Sequence, residues 1–143
     1  MKIETDFLEK CNATLSRALD FYTASEMESI ERETYRSAHI KEFEIILEQS
    51  GKLLQKCLKP FFHSSKEVDR LVFKDIFRNA VLRSILTLEE AERWMEYRNN
   101  RNNTAHDYGV GFVEDTLLLL PQFIIDSKSV ITAIKKCNEQ YES

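Results

Sequence analysis

Apolar residues recur along this chain at steps of three and four, which is the spacing of one face of an α-helix. The clearest stripe lies in the first half of the chain and consists of Ile40, Phe43, Leu47, Ser50, Leu54 and Cys57. No stretch shows the strict alternation of a strand, and there is no internal repeat or low-complexity tract. The pattern predicts an all-α fold, an antiparallel up-and-down bundle of about five helices around a four-helix core. Residues 1–143 are expected to form a single helical domain.

Capping and breaking residues predict where the first three helices begin and end. The first helix is expected to cover residues 3–23. Ser25, followed three positions later by Glu28, has the spacing of a capping box and is predicted to open the second helix. Pro60 ends that helix, because proline lacks the amide that a helix interior needs. Ser65 is expected to cap a third helix.

The same signals predict the two remaining helices. Thr87 and Glu90 form another capping-box pattern, which opens the fourth helix. Gly109 and Gly111 are expected to end it. Pro121 lies inside the apolar pattern of the last helix and is expected either to kink that helix or to mark its true start.

Composition and charge restrict the class of protein. The 143 residues are 43% hydrophobic and 31% charged, with a net charge of −4. A broad nucleic-acid-binding surface is therefore disfavoured, and any RNA contact should be local. No apolar run approaches the ~20 residues of a membrane span. The N-terminus lacks the apolar segment of a signal peptide. Cys11, Cys57 and Cys137 are widely spaced, which favours free thiols, no metal, and a cytoplasmic location.

Residues 97–109 carry the most unusual pattern in the chain. This segment follows a helical stripe and contains four asparagines, a histidine and two arginines, although asparagine is a mediocre helix former. A polar run that breaks the local rule over many positions usually marks a functional site. Arginine binds phosphate bidentately, and histidine exchanges protons near neutral pH. The segment therefore suggests phosphoryl chemistry that needs no metal or other cofactor.

The spacing within this segment leaves two structural alternatives open. Arg101 and His106 are five residues apart. On a regular helix that spacing separates two side chains by ~140° and ~7.5 Å. They would converge on one phosphate only if the helix loosens before His106 or if a second copy of the chain completes the site. Asn102 lies four residues before His106, so its amide could orient the imidazole. The spacing alone gives about equal support to another interpretation, in which the segment is simply the polar end of a helix and has no functional site.

Arg101-Asn102-Asn103-Thr104-Ala105-His106 resembles the R-x4–6-H signature of the HEPN superfamily, and Tyr108 extends it to R-x4-H-x-Y. That longer form is typical of HepT-like toxins encoded beside a minimal nucleotidyltransferase. Residues 30–130 resemble the nucleotidyltransferase substrate-binding branch of the superfamily through the blocks Phe43-Glu44, Lys52-Leu53-Leu54, Ser65-Lys66-Glu67-Val68 and Glu92-Arg93-Trp94. One departure is Gly51, where relatives commonly have a tryptophan.

The resemblance implies roles for individual residues. Proteins of this type form homodimers whose paired motifs build a metal-independent ribonuclease site. By that analogy, His106 would be the general acid or base, Arg101 would bind the scissile phosphate, and Asn102 would orient either group. Tyr108 would be the residue that a partner nucleotidyltransferase modifies with AMP to silence the site. Arg98 is expected to support phosphate binding.

The resemblance also leaves an alternative function. The chain could be the non-catalytic substrate-binding subunit of a two-component nucleotidyltransferase, whose partner would supply the metal-binding carboxylates. Both functions imply a small nucleotidyltransferase encoded nearby, and they differ in whether His106 takes part in chemistry. Outside the motif, Trp94 is expected in the core or a dimer interface, and His39 and His63 are expected to be ordinary surface or interface residues.

Overall fold

A computed structural model describes residues 2–26, 29–104 and 110–142. Within those ranges the chain forms six α-helices and one short 3-10 turn at Lys59–Phe61. The helices are α1 (Asp6–Ala24), α2 (Ile30–Leu58), α3 (Ser65–Asp69), α4 (Phe73–Leu82), α5 (Leu88–Thr104) and α6 (Val110–Glu142). The predicted all-α helical bundle is confirmed.

The predicted start of the second helix is wrong by four residues. Ser25 is the C-terminal cap of α1 rather than the start of α2, and its hydroxyl donates to the Tyr22 carbonyl at 2.7 Å. Ser29 caps α2 instead, since its side chain accepts from the Arg32 amide at 3.0 Å. Sequence spacing failed here because two serines lie four residues apart and either can serve as a cap.

The predicted third helix is divided into α3 and α4. Ser64, one residue before the predicted cap, accepts from the Glu67 amide at 3.3 Å and starts α3. That helix ends after five residues, and α4 begins at Phe73. The break lets Val68 of α3 and the apolar face of α4 both point into the bundle, where Val68 is fully buried.

The boundaries of α5 and α6 test three further predictions. The capping box of α5 is confirmed, because the Thr87 amide donates to the Glu90 carboxylate at 3.0 Å and the Glu90 amide donates to the Thr87 hydroxyl at 3.1 Å. Gly111, predicted together with Gly109 to end this helix, lies inside α6, and Gly109 lies outside the described residues. Pro121 is not the start of the last helix, since α6 continues through it. Pro121 itself is exposed, and the buried residues Leu120 and Phe123 on either side of it pack α6 against the core.

The centre of the bundle is an aromatic cluster at the junction of α2, α4, α5 and α6. It consists of Phe43, Phe77, Trp94, Tyr97 and Phe123, each no more than 1% exposed. The ring centroids of Phe43 and Phe123 are 4.6 Å apart, and those of Phe77 and Trp94 are 5.3 Å apart. Burial of such side chains contributes the main favourable term in folding. The prediction that Trp94 is a core or interface residue is confirmed for the core.

His39 corrects the expectation of a surface or interface histidine. It lies on α2, is 1% exposed, and its ring meets the Tyr22 ring edge-on with centroids 5.2 Å apart. Burial lowers the pKa of His39, because a charged imidazolium is poorly solvated inside the bundle. The expectation failed because histidine gives no local signal of burial in a stripe of mixed polarity. His63 is exposed, as expected.

Helix α6 is long and apolar enough to span a membrane by length and composition alone, because an 18-residue window within residues 114–140 has a mean hydropathy of 1.5. A core helix of a globular bundle passes the same test. One side of α6 is buried against the other helices through Leu120, Phe123, Ile124, Val130, Ile131 and Ile134. Its apolar character is therefore accounted for by core packing.

Candidate functional site

Helix α5 is held against α6 by a polar cluster around the buried carboxylate of Asp126. Asp126 of α6 is 1% exposed, and its carboxylate accepts from Arg93 Nε at 2.8 Å and from Arg93 Nη2 at 2.9 Å. The hydroxyl of Tyr97 and the amide of Gln122 donate to the same carboxylate. Further along α5, the Asn100 amide donates to the Thr116 hydroxyl at 2.9 Å. These contacts hold α5 in one rotation about its axis.

The same cluster shifts the titration of two of its members. Burial raises the pKa of Tyr97 well above its usual range, and the hydrogen bond to Asp126 raises it further. The hydrogen bonds to Asp126 likewise raise the pKa of Arg93. Both groups therefore remain protonated, and the buried carboxylate always faces a positive charge and a hydroxyl donor.

Arg98 and Arg101 line one small cavity of about 240 Å³ between α5 and α2. The opposite wall is formed by Glu44, Leu47 and Glu48 of α2. Arg98 and Arg101 are three residues apart on α5, which places them on neighbouring positions of one helix face. Glu48 also pairs with Lys52 at 3.2 Å on the exposed surface of α2. The cavity thus brings two guanidinium groups and two carboxylates together.

The position of Arg98 depends on an aromatic ring of α4. The guanidinium carbon of Arg98 lies 4.8 Å from the centroid of Phe73, a cation–π distance. Phe73 in turn packs against Gly51 of α2, where an added Cβ would approach the ring to 3.2 Å. Gly51 is the position at which the resemblance described above implies a tryptophan in relatives. The glycine leaves room for Phe73, and Phe73 supports Arg98.

The structure brings together only part of the predicted site. Arg101 and Arg98 share the cavity, whereas Asn102 is exposed in the last turn of α5. His106 and Tyr108 lie outside the described residues. The distances from Arg101 and Asn102 to the imidazole therefore stay predictions, as do the roles of His106 and Tyr108.

Sequence reasoning missed the acidic wall of the cavity. Glu44 belongs to one of the blocks that carry the family resemblance, and the sequence gives Glu48 no distinguishing signal of its own. Their spacing of four residues, with Leu47 buried between them, indicates that both carboxylates flank the same face of α2. That signal could have shown a shared acidic edge, but not that α5 packs opposite it.

Metal-ligating side chains do not cluster in the part of the chain that the structure describes. No three residues among its histidines, cysteines, aspartates and glutamates converge as ligands would. The two carboxylates of the cavity face two arginines instead, and a cation would have to compete with those guanidinium groups.

Over the residues that the structure describes, the chain is an all-helical bundle with an arginine-lined cavity near the C-terminal end of α5. The model of one family, described as nucleotidyltransferase substrate binding protein like, matches residues 4–136. The chain belongs to this family. The similarity to the substrate-binding and HepT-like branch, carried by the motif and the four sequence blocks, is thereby confirmed.

Two individual proteins show how far the similarity extends. The chain is 25% identical over 111 residues to a protein of Haemophilus influenzae named probable ribonuclease HepT, with 78% of this chain and 75% of that protein covered. The fold is similar to that of HI0074 from Haemophilus influenzae, described as having the fold of a substrate binding domain of a nucleotidyltransferase. That match has a TM-score of 0.77 at 21% identity and covers 92% of this chain and 99% of the other.

Proposed function

We propose that this protein is the HEPN subunit of a two-protein toxin–antitoxin module and acts as a metal-independent endoribonuclease. The observation that carries the proposal is the cavity in which Arg98 and Arg101 lie side by side, at the helix end that leads into the R-x4-H-x-Y motif. The relative named probable ribonuclease HepT supports the same activity. Association with a nucleotidyltransferase is supported by the family itself.

The arginines would bind the RNA backbone. Arg101, the residue of the motif, would contact the scissile phosphate and stabilise the charge that develops on it. Arg98 would contact a neighbouring phosphate, because the Phe73 ring already fixes its guanidinium and lowers the entropy lost on binding. Glu44 and Glu48 offset the positive charge of the cavity, so binding would be local rather than spread over the surface.

Cleavage requires proton transfer, for which His106 is the candidate. It would take the proton of the ribose 2′-hydroxyl or give one to the leaving oxygen, and Asn102 would orient the imidazole. A regular helix would not aim Arg101 and His106 at the same phosphate. The site is therefore proposed either to use a non-helical path before His106 or to be completed by the motif of a second copy in a homodimer.

Control of the site would come from Tyr108. A partner nucleotidyltransferase, encoded nearby, would attach AMP to the phenol oxygen and release pyrophosphate from ATP. The added phosphate would carry negative charge seven residues from Arg101, where it would repel the RNA backbone. Mass spectrometry after co-expression with the active partner should show one adenylyl group on Tyr108, and an unmodified Tyr108 would contradict this part of the proposal.

The decisive experiment measures cleavage of several labelled RNAs by the purified chain in excess EDTA. Arg101→Ala and His106→Ala should each lower the rate at least about 100-fold. Arg98→Ala should chiefly raise KM. Arg78→Ala is the matched control, because Arg78 is an exposed arginine of α4 that faces Asp75 at 3.9 Å rather than the cavity. Equal activity of all four variants would contradict the assigned roles.

A second candidate function follows from the acidic wall. Two carboxylates opposite two arginines suit a substrate with both positive and negative groups better than they suit a polyanion. The chain would then be the non-catalytic substrate-binding subunit of a two-component nucleotidyltransferase. In that case the wild type would cleave none of the RNAs, and Glu48→Gln would weaken substrate use by the partner enzyme.

A further inference from the structure

Another cavity, of about 510 Å³, lies at the opposite end of α5 from the arginine cavity. It is enclosed by the residues that follow α4, the first turn of α5 and the C-terminal half of α6. Glu90, which borders it, precedes Arg101 by eleven residues, or roughly 16 Å along α5. A volume of this size suits a small-molecule ligand. The cavity is therefore separate from the proposed ribonuclease site.

Basic side chains from two sides of the cavity surround its opening. Arg83 follows the last turn of α4, and Lys128 and Lys136 lie eight residues apart on α6. Among the residues that the structure describes, none of these three has a salt-bridge partner. The neighbouring Lys135, by contrast, pairs with Glu9 of α1 at 2.9 Å. Unpaired cations that border one cavity favour an anionic ligand.

The positive charge is confined to the cavity. The Glu90 carboxylate is held by the helix cap, because its Oε1 atom accepts from the amide and the hydroxyl of Thr87, both at 3.0 Å. The next charged residue of α6 after Lys136 is Glu139, and α5 begins with Glu89 and Glu90. A nucleic-acid strand would need a longer basic track to neutralise its successive phosphates. A small anion therefore fits this surface better than RNA does.

One wall of the cavity is apolar and suits a flat ring. Leu86, Ala133 and Cys137 line this wall and are each less than 9% exposed. At the edge of the wall, the guanidinium carbon of Arg83 lies 4.9 Å from the centroid of the Phe61 ring. Aromatic rings and arginine planes are the surfaces on which nucleobases stack. An apolar wall beside several cations matches a ligand that has both a base and phosphates.

Ser84 provides an independent reason to expect a ligand. Its φ of 58° is a left-handed conformation that costs a non-glycine residue roughly 1–2 kcal/mol. The residue borders the cavity, and its hydroxyl has no hydrogen-bond partner in the described part of the chain. A position where stability alone favours glycine thus keeps a hydroxyl donor at the cavity. Departures of this kind from the local rule are typical of functional positions.

We propose that this cavity binds a nucleoside triphosphate, with the base against the apolar wall beside Phe61 and the phosphate chain along α6. Lys128 and Lys136 are ~12 Å apart along the helix axis, so a chain of phosphates uses both better than a single phosphate does. Arg83, supported by the Phe61 ring, binds the phosphates from the opposite side. The Ser84 hydroxyl donates to a phosphate oxygen. This binding site does not depend on the proposed ribonuclease function.

Isothermal titration calorimetry of the full chain tests the ligand class. The chain is titrated in EDTA with ATP and GTP, and then with adenosine, guanosine and tripolyphosphate. The tighter-binding nucleotide should bind at least about tenfold more tightly than its nucleoside or tripolyphosphate alone, because joining the two parts makes the second contact intramolecular. Binding should weaken as the salt concentration rises, since the contacts are ionic.

Variants test the assigned contacts. Arg83→Gln and Lys136→Gln should each weaken nucleotide binding about 10-fold, the effect of losing one charge-assisted hydrogen bond. Lys135→Gln is the matched control, because it removes the same charge from an adjacent residue that faces Glu9, and it should change the Kd less than about twofold. Ser84→Gly should weaken binding about threefold while raising the Tm. Circular dichroism verifies that each variant remains helical.

Several outcomes would overturn the proposal. Tripolyphosphate that binds as tightly as the nucleotides, or equal losses from Lys135→Gln and Lys136→Gln, would show a non-specific basic patch. Absence of binding by ATP and GTP at millimolar concentration would show that the cavity takes another ligand. An RNA oligonucleotide that displaces the nucleotide and is weakened by the same substitutions would show an RNA contact instead. RNA cleavage without nucleotide should be equal in Lys136→Gln and wild type, so failure here is distinguishable from failure of the ribonuclease proposal.

Discussion

The buried Asp126 cluster allows a quantitative prediction about what holds α5 in place. Arg93→Ala would leave a carboxylate that is 1% exposed without its cation, although Tyr97 and Gln122 would still donate to it. Stranding a buried charge costs about 3–5 kcal/mol. Because two donors remain, a loss near the lower end of that range, about 3 kcal/mol, is expected.

The reciprocal change should cost a similar amount for another reason. Asp126→Ala leaves the buried Tyr97 hydroxyl without its acceptor, at about 1–3 kcal/mol. Arg93, whose side chain is 33% exposed, can turn to water and adds less. In the double variant no buried charge remains, so its loss should be smaller than the sum of the two single losses. The coupling should be about 1.5–3 kcal/mol.

Urea unfolding followed by circular dichroism measures these values, provided that the slopes of the unfolding curves agree between variants. Asp75→Ala serves as a control, because its pairing with Arg78 at 3.9 Å is exposed. An exposed pair of this kind should contribute less than about 1 kcal/mol. Losses from Arg93→Ala and Asp126→Ala that simply add within about 0.5 kcal/mol, as independent sites do, would refute the reasoning. They would mean that Arg93 does not neutralise the buried carboxylate.

Three further predictions concern single positions. Gly51→Trp should destabilise the fold by about 2 kcal/mol or more, since overpacking forces neighbours to shift. The new side chain would overlap Phe73, so adding Phe73→Ala should restore part of the loss in the same unfolding assay. Ser84 has a φ of 58° at the end of α4. Ser84→Gly should therefore stabilise by about 1 kcal/mol, because glycine has no steric penalty in that conformation. Because the pKa of His39 is lowered in the folded chain, the unfolded chain takes up this proton at a higher pH than the folded chain does. The free energy of unfolding should therefore fall as pH drops below the ordinary histidine pKa. The slope should reach at most about 1.4 kcal/mol per pH unit for one proton. His39→Leu should flatten that dependence, and an unchanged slope would assign it to other groups.

Much of the fold could be predicted from periodicity, because each long helix has a continuous apolar stripe. The errors fell at helix boundaries, where short-range signals compete. Ser25 and Ser29 are both acceptable caps, and only the packing of α1 against α2 decides between them. Gly111 is predicted to end α5 but lies inside α6, since glycine in a helix interior costs only about 0.5–1 kcal/mol relative to alanine.

The candidate site could be predicted only in part, because a sequence motif identifies only residues that lie close together along the chain. The sequence of α5 alone predicts Arg98 and Arg101 as phosphate ligands. Glu44 and Glu48 join them only through the packing of α2 against α5, which are far apart in sequence. Tertiary contacts of that kind leave no local pattern.

Gly51 affects the position of one cavity arginine through the ring of Phe73. The glycine gives the Phe73 ring its space, and that ring then lies 4.8 Å from the Arg98 guanidinium carbon. A tryptophan at position 51 would need the volume that Phe73 occupies, so the position of Arg98 would have to change with it. The arginine expected to play a supporting role is therefore the one whose orientation depends most on this chain's own sequence. A larger residue at position 51 should therefore change ligand binding in the cavity through Arg98 before it changes it through Arg101.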